Sequence, residues 1–380
     1  MEVIQGKYTE AIIFTTENSK TSLDQYARAQ LQMICNNECS KDSKIRIMPD
    51  VHPGKVGTIG LTMTVGDRVM PELIGIDIGC GVTVAKINKG RREWQKLDSC
   101  IRENIPSGFS VRSKSHAKAD QFDFEKLLCA DHINVEKAKR SLGTLGGGNH
   151  FIEIDTDEDG GLYAVIHTGS RHLGKEVTEY YLQVGQKALK EAGVDIPYEM
   201  TYLEGALKDA YLRDMEVVQE YAALNREIIL SEIIKGMKWK AEDLFSSMHN
   251  YIASDKQTLS WAKTPVLRKG AISARKGEKV IIPINMRDGV ILGTGLGNVD
   301  WNCSAPHGSG RIIRRDSVKN EHSVSEFKAS MKGIYSSSIS AATLDEAPFA
   351  YRPIDEIRQV IGPTVEINKV LKPVYNFKAG

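Results

Sequence analysis

The sequence predicts an α+β fold in which β-sheets pack on each other. Three stretches have apolar residues that recur three and four positions apart, the spacing of an amphipathic helix. Five short runs are rich in β-branched residues, which favour strands. Helices and strands do not alternate in regular βαβ units, so a parallel barrel and a doubly wound sheet are both disfavoured.

The predicted elements are, in chain order, strand 11–14, helix 22–35, strands 62–65, 82–87 and 163–166, helices 175–191 and 204–235, and strand 280–283. Each strand run is bounded by Gly, Asp or Pro. Residues 110–140 are basic and then helical, which predicts a surface excursion and not a domain boundary. No internal repeat or long Pro, Ser or Gly linker divides the chain, so one compact domain over residues 1–380 is expected.

The composition is typical of a soluble globular protein, because 41% of the 380 residues are hydrophobic and 26% are charged. The net charge is +1, so a nucleic acid would need a local patch of Lys and Arg, and the charge alone leaves that question open. The sequence has no signal-peptide pattern and no run as long as a membrane span. We therefore expect a cytoplasmic protein without membrane contact, with its six cysteines as thiols.

Five glycine-dense segments stand out, and most of them carry reactive side chains. They are GIDIGCGV (75–82), LGGGNHF (145–151), HTGSRHLG (167–174), GTGLGN (293–298) and APHGSGR (305–311). Glycine lets the backbone approach a ligand closely and leaves N–H groups free to bind phosphate. Five such loops predict one large polar site.

Several of these loops carry residues of the types that bind metals. They are Asp77, Cys80, His150 and His167, and His249 follows the long helical stretch. Thiolate, imidazole and carboxylate together suit zinc, iron or manganese better than calcium or magnesium, although ligand type alone does not choose among the three. Taken singly, each residue is more often a packed core side chain. Their grouping beside glycine-rich turns favours a metal site.

His307 lies in the motif APHGSGRIIRR, followed by Arg311, Arg314 and Arg315. An imidazole there serves as a ligand, a base or a nucleophile. It attacks phosphorus readily when a metal and neighbouring cations neutralise the phosphate charge. A basic surface loop without function explains the motif equally well.

Six motifs in order make the chain resemble the RtcB-type RNA ligases, which are tRNA-splicing ligases and 3′-phosphate/5′-hydroxyl nucleic acid ligases. The motifs are MPDVHPGK (48–55), DIGCG (77–81), GGGNHF (146–151), HTGSR (167–171), HN (249–250) and HGSGR (307–311), with KAG at the C-terminus. Together they cover nearly the full length. Each motif alone is moderately specific, but six in family order are hard to attribute to chance.

The resemblance implies a single RtcB-like domain, with packed sheets surrounded by helices and a central metal and nucleotide cleft. It implies two Mn²⁺ ions, bridged by Cys80 and held by Asp77, Cys80, His150, His167 and His249. It makes His307 the guanylylated nucleophile. The implied nucleotide contacts are Asn149 to a phosphate, Glu153 to the guanine edge, Tyr351 as a pocket wall, and Lys378 near the guanine. Phosphate or RNA contacts are expected from Arg171 and Arg311, with Arg314, Arg315, Lys114 and Lys118 as further candidates.

The activity implied is GTP-dependent joining of RNA 3′-phosphate or 2′,3′-cyclic phosphate ends to 5′-hydroxyl ends, in RNA repair or tRNA splicing. An accessory activating protein is a further partner that the resemblance leaves open. Two alternatives remain. A metal-dependent cyclic phosphodiesterase without ligation would not need His307 or a guanine pocket, and a non-enzymatic RNA-binding protein would not need five metal ligands.

The chain departs from the family pattern at two places. It has HGSGR where the family usually has HGAGR, which adds a hydroxyl beside the nucleophile and is expected to be tolerated. The segment IPINMRDG (282–289) replaces a longer one that carries a serine near the guanine. Arg287 or Asp288 is the expected substitute for that contact.

Overall fold

The computed structural model describes residues 1–15 and 23–379. The strands in these residues are β1 (Glu2–Gln5), β2 (Glu10–Ile13), β3 (Ile45–His52), β4 (Ile59–Thr64), β5 (Arg68–Val69), β6 (Gly81–Lys89), β7 (Phe151–Thr156), β8 (Leu162–Thr168), β9 (Leu203–Glu204), β10 (Lys240–Met248), β11 (Asn250–Ala253), β12 (Val266–Lys269), β13 (Ala271–Ser273), β14 (Lys279–Asn285), β15 (Gly289–Gly295), β16 (Ser304–Pro306) and β17 (Val365–Phe377). The helices are α1 (Gln25–Cys35), α2 (Trp94–Asn104), α3 (Val135–Ser141), α4 (Arg171–Glu191), α5 (Gly205–Met237), α6 (Lys256–Ala262), α7 (Arg315–Glu321), α8 (Val324–Ser330) and α9 (Ile354–Ile361).

Two large sheets form the centre of the described fold. The first has six strands in the order β1-β2-β3-β4-β12-β11, and the second has seven in the order β10-β6-β8-β7-β17-β15-β14. Neighbouring strands are antiparallel except β2 and β3. Antiparallel sheets with helices packed outside them are the α+β class, so the predicted fold class is confirmed.

Helix α5 connects the cores of the two sheets. Tyr211 and Val218 pack in the core region that includes the six-stranded sheet. Ile229 and Ile233, further along the helix, pack in the region that includes β6, β7, β8 and β17. A helix that is apolar on several faces is expected to be buried. Helix α5 also holds the loops between the two sheets in place.

The predicted elements correspond to observed ones. The predicted helices are α1, α4 and α5, and the predicted strands are β2, β4, β6, β8 and β14. Ser22, where the first predicted helix begins, lies outside the described residues, as does Gly380 of the C-terminal motif.

The description of residues 110–140 as a surface excursion is wrong in part. Phe124, Leu127 and Cys129 of this segment are buried in the core. The buried Asp214 of α5 accepts hydrogen bonds from the backbone N–H of Leu128 at 2.6 Å and of Cys129 at 3.1 Å. The basic residues of the segment hid these apolar contacts in the sequence. Whether residues 1–380 form one domain stays a prediction.

Within the described residues, no helix combines the length and the apolar character that crossing a membrane requires.

Candidate active site

Four segments of the chain meet at one edge of the seven-stranded sheet. Cys80 and His150 immediately precede β6 and β7, and the register of these strands against β8 places both residues beside His167. His249 follows β10, whose last residue pairs with the first residue of β6. Its backbone N–H donates to the Cys80 carbonyl at 2.9 Å. Residues far apart in sequence therefore share one small volume.

The ligand-type atoms form two pairs with the Cys80 sulfur between them. Cys80 Sγ is 3.4 Å from His150 Nε2 and 3.4 Å from His167 Nε2. On one side, His150 Nε2 is 3.0 Å from Asp77 Oδ2. On the other, His167 Nε2 is 3.3 Å from His249 Nε2. The donor atoms of Cys80, His150 and His167 all lie within 4.8 Å of one another.

The backbone fixes which nitrogen of two imidazoles carries the proton. His150 Nδ1 is 3.0 Å from the Leu145 carbonyl, and His167 Nδ1 is 3.1 Å from the Asn149 carbonyl. A carbonyl only accepts, so each Nδ1–H donates and Nε2 is the nitrogen that faces Cys80. These Nε2 atoms, the thiol and the carboxylate together form a donor set that fits a transition metal ion.

The charges of the cluster follow from its burial. Burial lowers the pKa of His167 and His249 well below the ordinary range, and neighbouring histidines lower both further. Burial and the Asp77 carboxylate raise the pKa of the Cys80 thiol. Burial alone raises the pKa of Asp77, but the charge and hydrogen bond of His150 outweigh it and leave that pKa below its usual range. Without a metal, a proton must therefore compensate Asp77, and a bound metal ion replaces that proton.

His307 lies next to this cluster and is held by a buried carboxylate. Its Nδ1 is 2.7 Å from Asp50 Oδ2, and the Asp50 side chain is fully buried while that of His307 is 15% exposed. The ring centroids of His249 and His307 are 4.8 Å apart. Gly270 has φ +60°, and a Cβ there would lie 3.2 Å from His307 Cε1, so glycine makes room for the ring.

Two buried residues of α5 hold the loops that carry the ligands. Nη1 of Arg226 donates to the carbonyls of Gly79 and Thr168, each at 2.9 Å. Asn225 Nδ2 donates to the carbonyl of Gly169 at 3.1 Å. These backbone groups adjoin Cys80 and His167, so α5 fixes the distance between the two strands that supply them.

A cleft opens beside His307, with about 690 Å³ of empty space including its mouth. Its wall includes the main chain and side chains of the β14–β15 turn and of the HGSGR motif. The wall also contains Asn149, Glu153, His167, Tyr351 and Lys378.

Glu346 pairs with several cations at the far wall of this cleft. Its Oε2 accepts from Lys378 Nζ at 2.8 Å and from the Tyr351 hydroxyl at 2.7 Å. Its Oε1 is 3.3 Å from Nη1 of Arg311 and also pairs with Arg315. Burial alone raises the pKa of Glu346, but the charges of Lys378, Arg315 and Arg311 reverse this and hold it below the usual range. Arg315 also pairs with the Asp345 carboxylate at 2.7 Å, so three cations face two carboxylates and the wall keeps a small excess of positive charge.

Glu153 lies deeper in the cleft, with a second acid behind it on β7. Asn376 Nδ2 donates to Glu153 Oε2 at 2.6 Å. Burial raises the pKa of Glu153 to about 7, although Asn376 and Lys378 oppose the increase. Burial and the Glu153 charge raise the pKa of Asp155, whose oxygens have no hydrogen-bond partner in the described part of the chain. Glu153 is therefore poised between its two charge states near neutral pH.

The family model described as tRNA-splicing ligase RtcB matches residues 33–133 and 125–379, which is most of the chain. The chain belongs to the RtcB family. RNA-splicing ligase RtcB1 of Escherichia coli is 30% identical over 370 residues, covering 87% of this chain and 88% of the relative. RNA-splicing ligase RtcB of E. coli K12 is 29% identical over 367 residues, covering 87% and 88%. The tRNA-splicing ligase RtcB of Nanoarchaeum equitans is 27% identical over 400 residues, covering 83% of each chain. The resemblance read from the motifs is thus confirmed.

The structure brings most of the residues assigned by the RtcB resemblance into one place. The five ligand-type residues form the cluster, and His307 packs beside its His249 and lines the cleft, as does His167 of the cluster. The cleft wall contains every expected nucleotide contact: Asn149, Glu153, His307, Tyr351 and Lys378.

The arginines expected to contact phosphate differ in availability. Arg311 donates to the Asp345 carbonyl and the Tyr351 hydroxyl besides pairing with Glu346, so it is largely committed to the fold. Arg171 lies away from the walls of the cleft; its Nη2 is 3.4 Å from the Gly108 carbonyl. A second opening, continuous with the cleft at His307, includes Arg314 and Arg315 in its wall.

The remaining candidates lie elsewhere. Lys118 pairs with Glu227, and Lys114 is exposed. Arg287 and Asp288 are absent from the described wall of the cleft, and Arg287 Nε pairs with Asp288 Oδ1 at 2.9 Å. The segment meets the cleft instead through residues 283–286 and Gly289.

Three residues that lie in the site had no role assigned from the sequence. Asp50 lies within the MPDVHPGK motif, which served only as a family marker. Glu346 lies five positions before Tyr351, in the stretch EAPFAY. Arg226 lies on a helical stretch with no motif of its own, and only the fold shows that its guanidinium reaches the ligand loops.

Proposed function

We propose that this protein is a GTP- and manganese-dependent RNA ligase that forms a covalent GMP adduct on His307. It joins RNA 3′-phosphate or 2′,3′-cyclic phosphate ends to 5′-hydroxyl ends, in cytoplasmic tRNA splicing or RNA repair. The observation that carries the proposal is the position of His307. The ring lies beside His249 of the metal-type cluster and also lines the cleft, with Nδ1 bonded to Asp50.

For the metals, the two pairs suggest two ions that share the Cys80 sulfur. Asp77 and His150 would hold one ion with Cys80, and His167 and His249 the other. The supporting distances are those between the paired donor atoms, 3.0 Å and 3.3 Å. When bound, such ions neutralise phosphate charge and make phosphorus more electrophilic. Manganese itself comes from the family resemblance, since the donor set also suits zinc and iron.

For the nucleotide, the cleft offers complementary groups at both ends. Glu153 in its ionised form accepts hydrogen bonds from the N–H groups of guanine. Lys378, held beside it, would contact the base, and Tyr351 would form the wall. Asn149 lies between the cleft and the second opening and would contact a phosphate. The net positive wall at Glu346 favours an anionic ligand.

Asp50 holds His307 in the tautomer that nucleophilic attack requires. With the Nδ1–H donating to Asp50, the Nε2 lone pair is free. Nε2 attacks the α-phosphorus of GTP, a P–N bond forms, and the bond to pyrophosphate breaks. An oxygen of the RNA 3′-phosphate then takes the GMP from nitrogen, which gives an anhydride. A 5′-hydroxyl attacks the RNA phosphorus, its proton is lost, and GMP leaves.

The test offers RNA halves with a 3′-phosphate, a 2′,3′-cyclic phosphate or a 3′-hydroxyl, each beside a 5′-hydroxyl partner, with and without GTP and Mn²⁺. We expect joining of the first two ends only, dependent on GTP, and none with His307→Ala. Opening of the cyclic phosphate without any joining would instead identify the phosphodiesterase. RNA binding without either reaction would identify a non-enzymatic protein.

A further inference from the structure

A tight turn beside the active site presents an aromatic ring that packs against nothing. Phe109 has a relative exposure of 108%, the highest among the exposed large hydrophobic residues of the described chain. Its backbone is nevertheless fixed, because Ser110 N–H donates to the Ser107 carbonyl at 3.2 Å. Gly108 in this turn has φ +62°, a conformation that glycine adopts without strain. The ring is therefore held outward by a rigid turn.

The turn is attached directly to the loop that carries His150. Gly108 N–H donates to the Gly146 carbonyl at 2.9 Å, and Leu145 N–H donates to the Pro106 carbonyl at 2.9 Å. Arg171 spans the same gap, with Nη2 3.4 Å from the Gly108 carbonyl and Nη1 3.3 Å from His150 Nδ1. A strand whose end lies at the metal cluster would thus have Phe109 close to its path.

A surface groove adjoins this turn. We call it the 102–114 groove; its wall is formed by residues 102–107 and 110–114 together with Phe377. Phe377 immediately precedes Lys378 of the cleft, and the Arg102 guanidinium lies 5.2 Å from its ring centroid.

The 102–114 groove has an excess of positive charge, which suits a nucleic acid backbone. Its wall contains the cations Arg102, Arg112 and Lys114 and one carboxylate, Glu103. Arg102 is paired with Asp98 at 2.8 Å, so Lys114 is the cation most available to a phosphate. Arg112 donates to the carbonyls of Leu142, Asn104 and Gly143 and so fixes the groove wall. Lys114 is exposed, and no ion pair of the described residues involves it.

We propose that the 102–114 groove binds single-stranded RNA next to the end being joined, with Phe109 stacking on one base. The proposal rests on the proposed function for the identity of the ligand. Aromatic side chains beside a basic groove are the means by which proteins bind single strands without reading their sequence. A protein partner would also cover an exposed ring, but it would have no need of the cationic groove.

The experiment measures binding of a fluorescent single-stranded RNA with a 3′-phosphate to wild type and variants by anisotropy. Stacking predicts that Phe109→Ala weakens binding by about tenfold, within a range of roughly five- to 150-fold. Phe109→Trp should bind within about twofold of wild type, and its fluorescence should be quenched by the RNA. Phe109→Leu should resemble Phe109→Ala, because it keeps apolar area but loses the aromatic face.

Two controls separate stacking from other effects. Leu128→Ala removes another exposed apolar side chain, 54% exposed, and should bind RNA like wild type. The thermal unfolding midpoint of Phe109→Ala should equal that of wild type, since the ring has no packing to lose. Lys114→Gln should reduce the slope of log affinity against log salt by about one.

Wild-type affinity in Phe109→Ala overturns the proposal, as does wild-type affinity in Phe109→Leu, which would indicate an apolar surface for a protein. Failure of wild type to bind the RNA also overturns it. Labelling of wild type with GMP is scored separately. RNA binding that depends on Phe109 without GMP labelling would sink the ligase assignment and leave this inference standing. GMP labelling together with RNA binding that does not depend on Phe109 would overturn this inference and leave the ligase assignment standing.

Discussion

Replacing Asp50 by asparagine should slow the transfer of GMP to His307 without removing any group that touches the nucleotide. Asp50 is fully buried and its Oδ2 lies 2.7 Å from His307 Nδ1. The carboxylate accepts the Nδ1 proton, which leaves Nε2 free to attack. An asparagine amide is also able to donate to Nδ1, and that contact would move the ring proton to Nε2, where it blocks attack.

The size of the effect follows from the lost interaction. A hydrogen bond to a charged group contributes about 1.5–3 kcal/mol, and a factor of ten in rate corresponds to about 1.4 kcal/mol. Asp50→Ala, which loses this bond but does not impose a tautomer, should therefore reduce the rate by roughly 10- to 150-fold. Asp50→Asn should reduce it at least as much, because the wrong tautomer adds to the loss.

The assay is the single-turnover rate of GMP incorporation at fixed GTP and Mn²⁺, with circular dichroism to verify folding. Asp67→Asn is the matched control, since Asp67 is exposed, and it should react at the wild-type rate. If folded Asp50→Asn incorporates GMP within twofold of wild type, Asp50 does not orient the nucleophile and the reasoning fails.

Three further predictions concern the metal cluster and the cleft. Cys80→Ala should lower the bound Mn²⁺ measured after dialysis by about two ions per chain, because both proposed ions share its sulfur. The control Cys100→Ala should retain both ions. Full retention of Mn²⁺ in Cys80→Ala would contradict the proposed bridge. Burial raises the pKa of Glu153 from 4.5 to about 7. Its contribution to the stability of the fold is therefore fully present below about pH 4.5 and is lost as the pH rises through 7. Guanine nucleotide affinity, measured by calorimetry, should conversely increase as the pH rises through 7 and lose this dependence in Glu153→Gln; an unchanged profile in the variant would exclude the carboxyl. Glu346→Gln should lower the free energy of unfolding in urea by roughly 3–5 kcal/mol, since it leaves buried cations such as Lys378 without their anion, and a loss under 1 kcal/mol would contradict the pairing.

The local elements could be read from the sequence, but the sheet order could not. Periodicity identified α4 and α5, and β-branched runs identified β6 and β8, because these signals depend on neighbouring residues. Strand β17 pairs with β15, and it also pairs with β7, whose residues are more than 200 positions away in the sequence. This arrangement follows from packing that no local pattern encodes. This pairing is also what brings Lys378 next to Glu153.

Residues of the candidate site could be predicted where they lie in a sequence motif. They could not be predicted where they act through a buried contact. Glycine-rich loops marked Cys80 and His150, since close approach to a ligand leaves a visible pattern. Asp50 and Glu346 act through hydrogen bonds inside the fold, and a lone carboxylate in a sequence gives no sign of its partner. The guanine contact expected from Arg287 or Asp288 stays a prediction; in the structure the two side chains pair with each other at 2.9 Å.

The most direct measurement is the mass of the intact protein after incubation with GTP and Mn²⁺, followed by peptide mapping. A GMP attached to a nitrogen of His307, acid-labile and stable to alkali, is the result expected for wild type. His307→Ala should gain no mass. An unmodified wild-type protein, or a GMP adduct that persists on another residue in His307→Ala, would contradict the assignment of this histidine as the nucleophile.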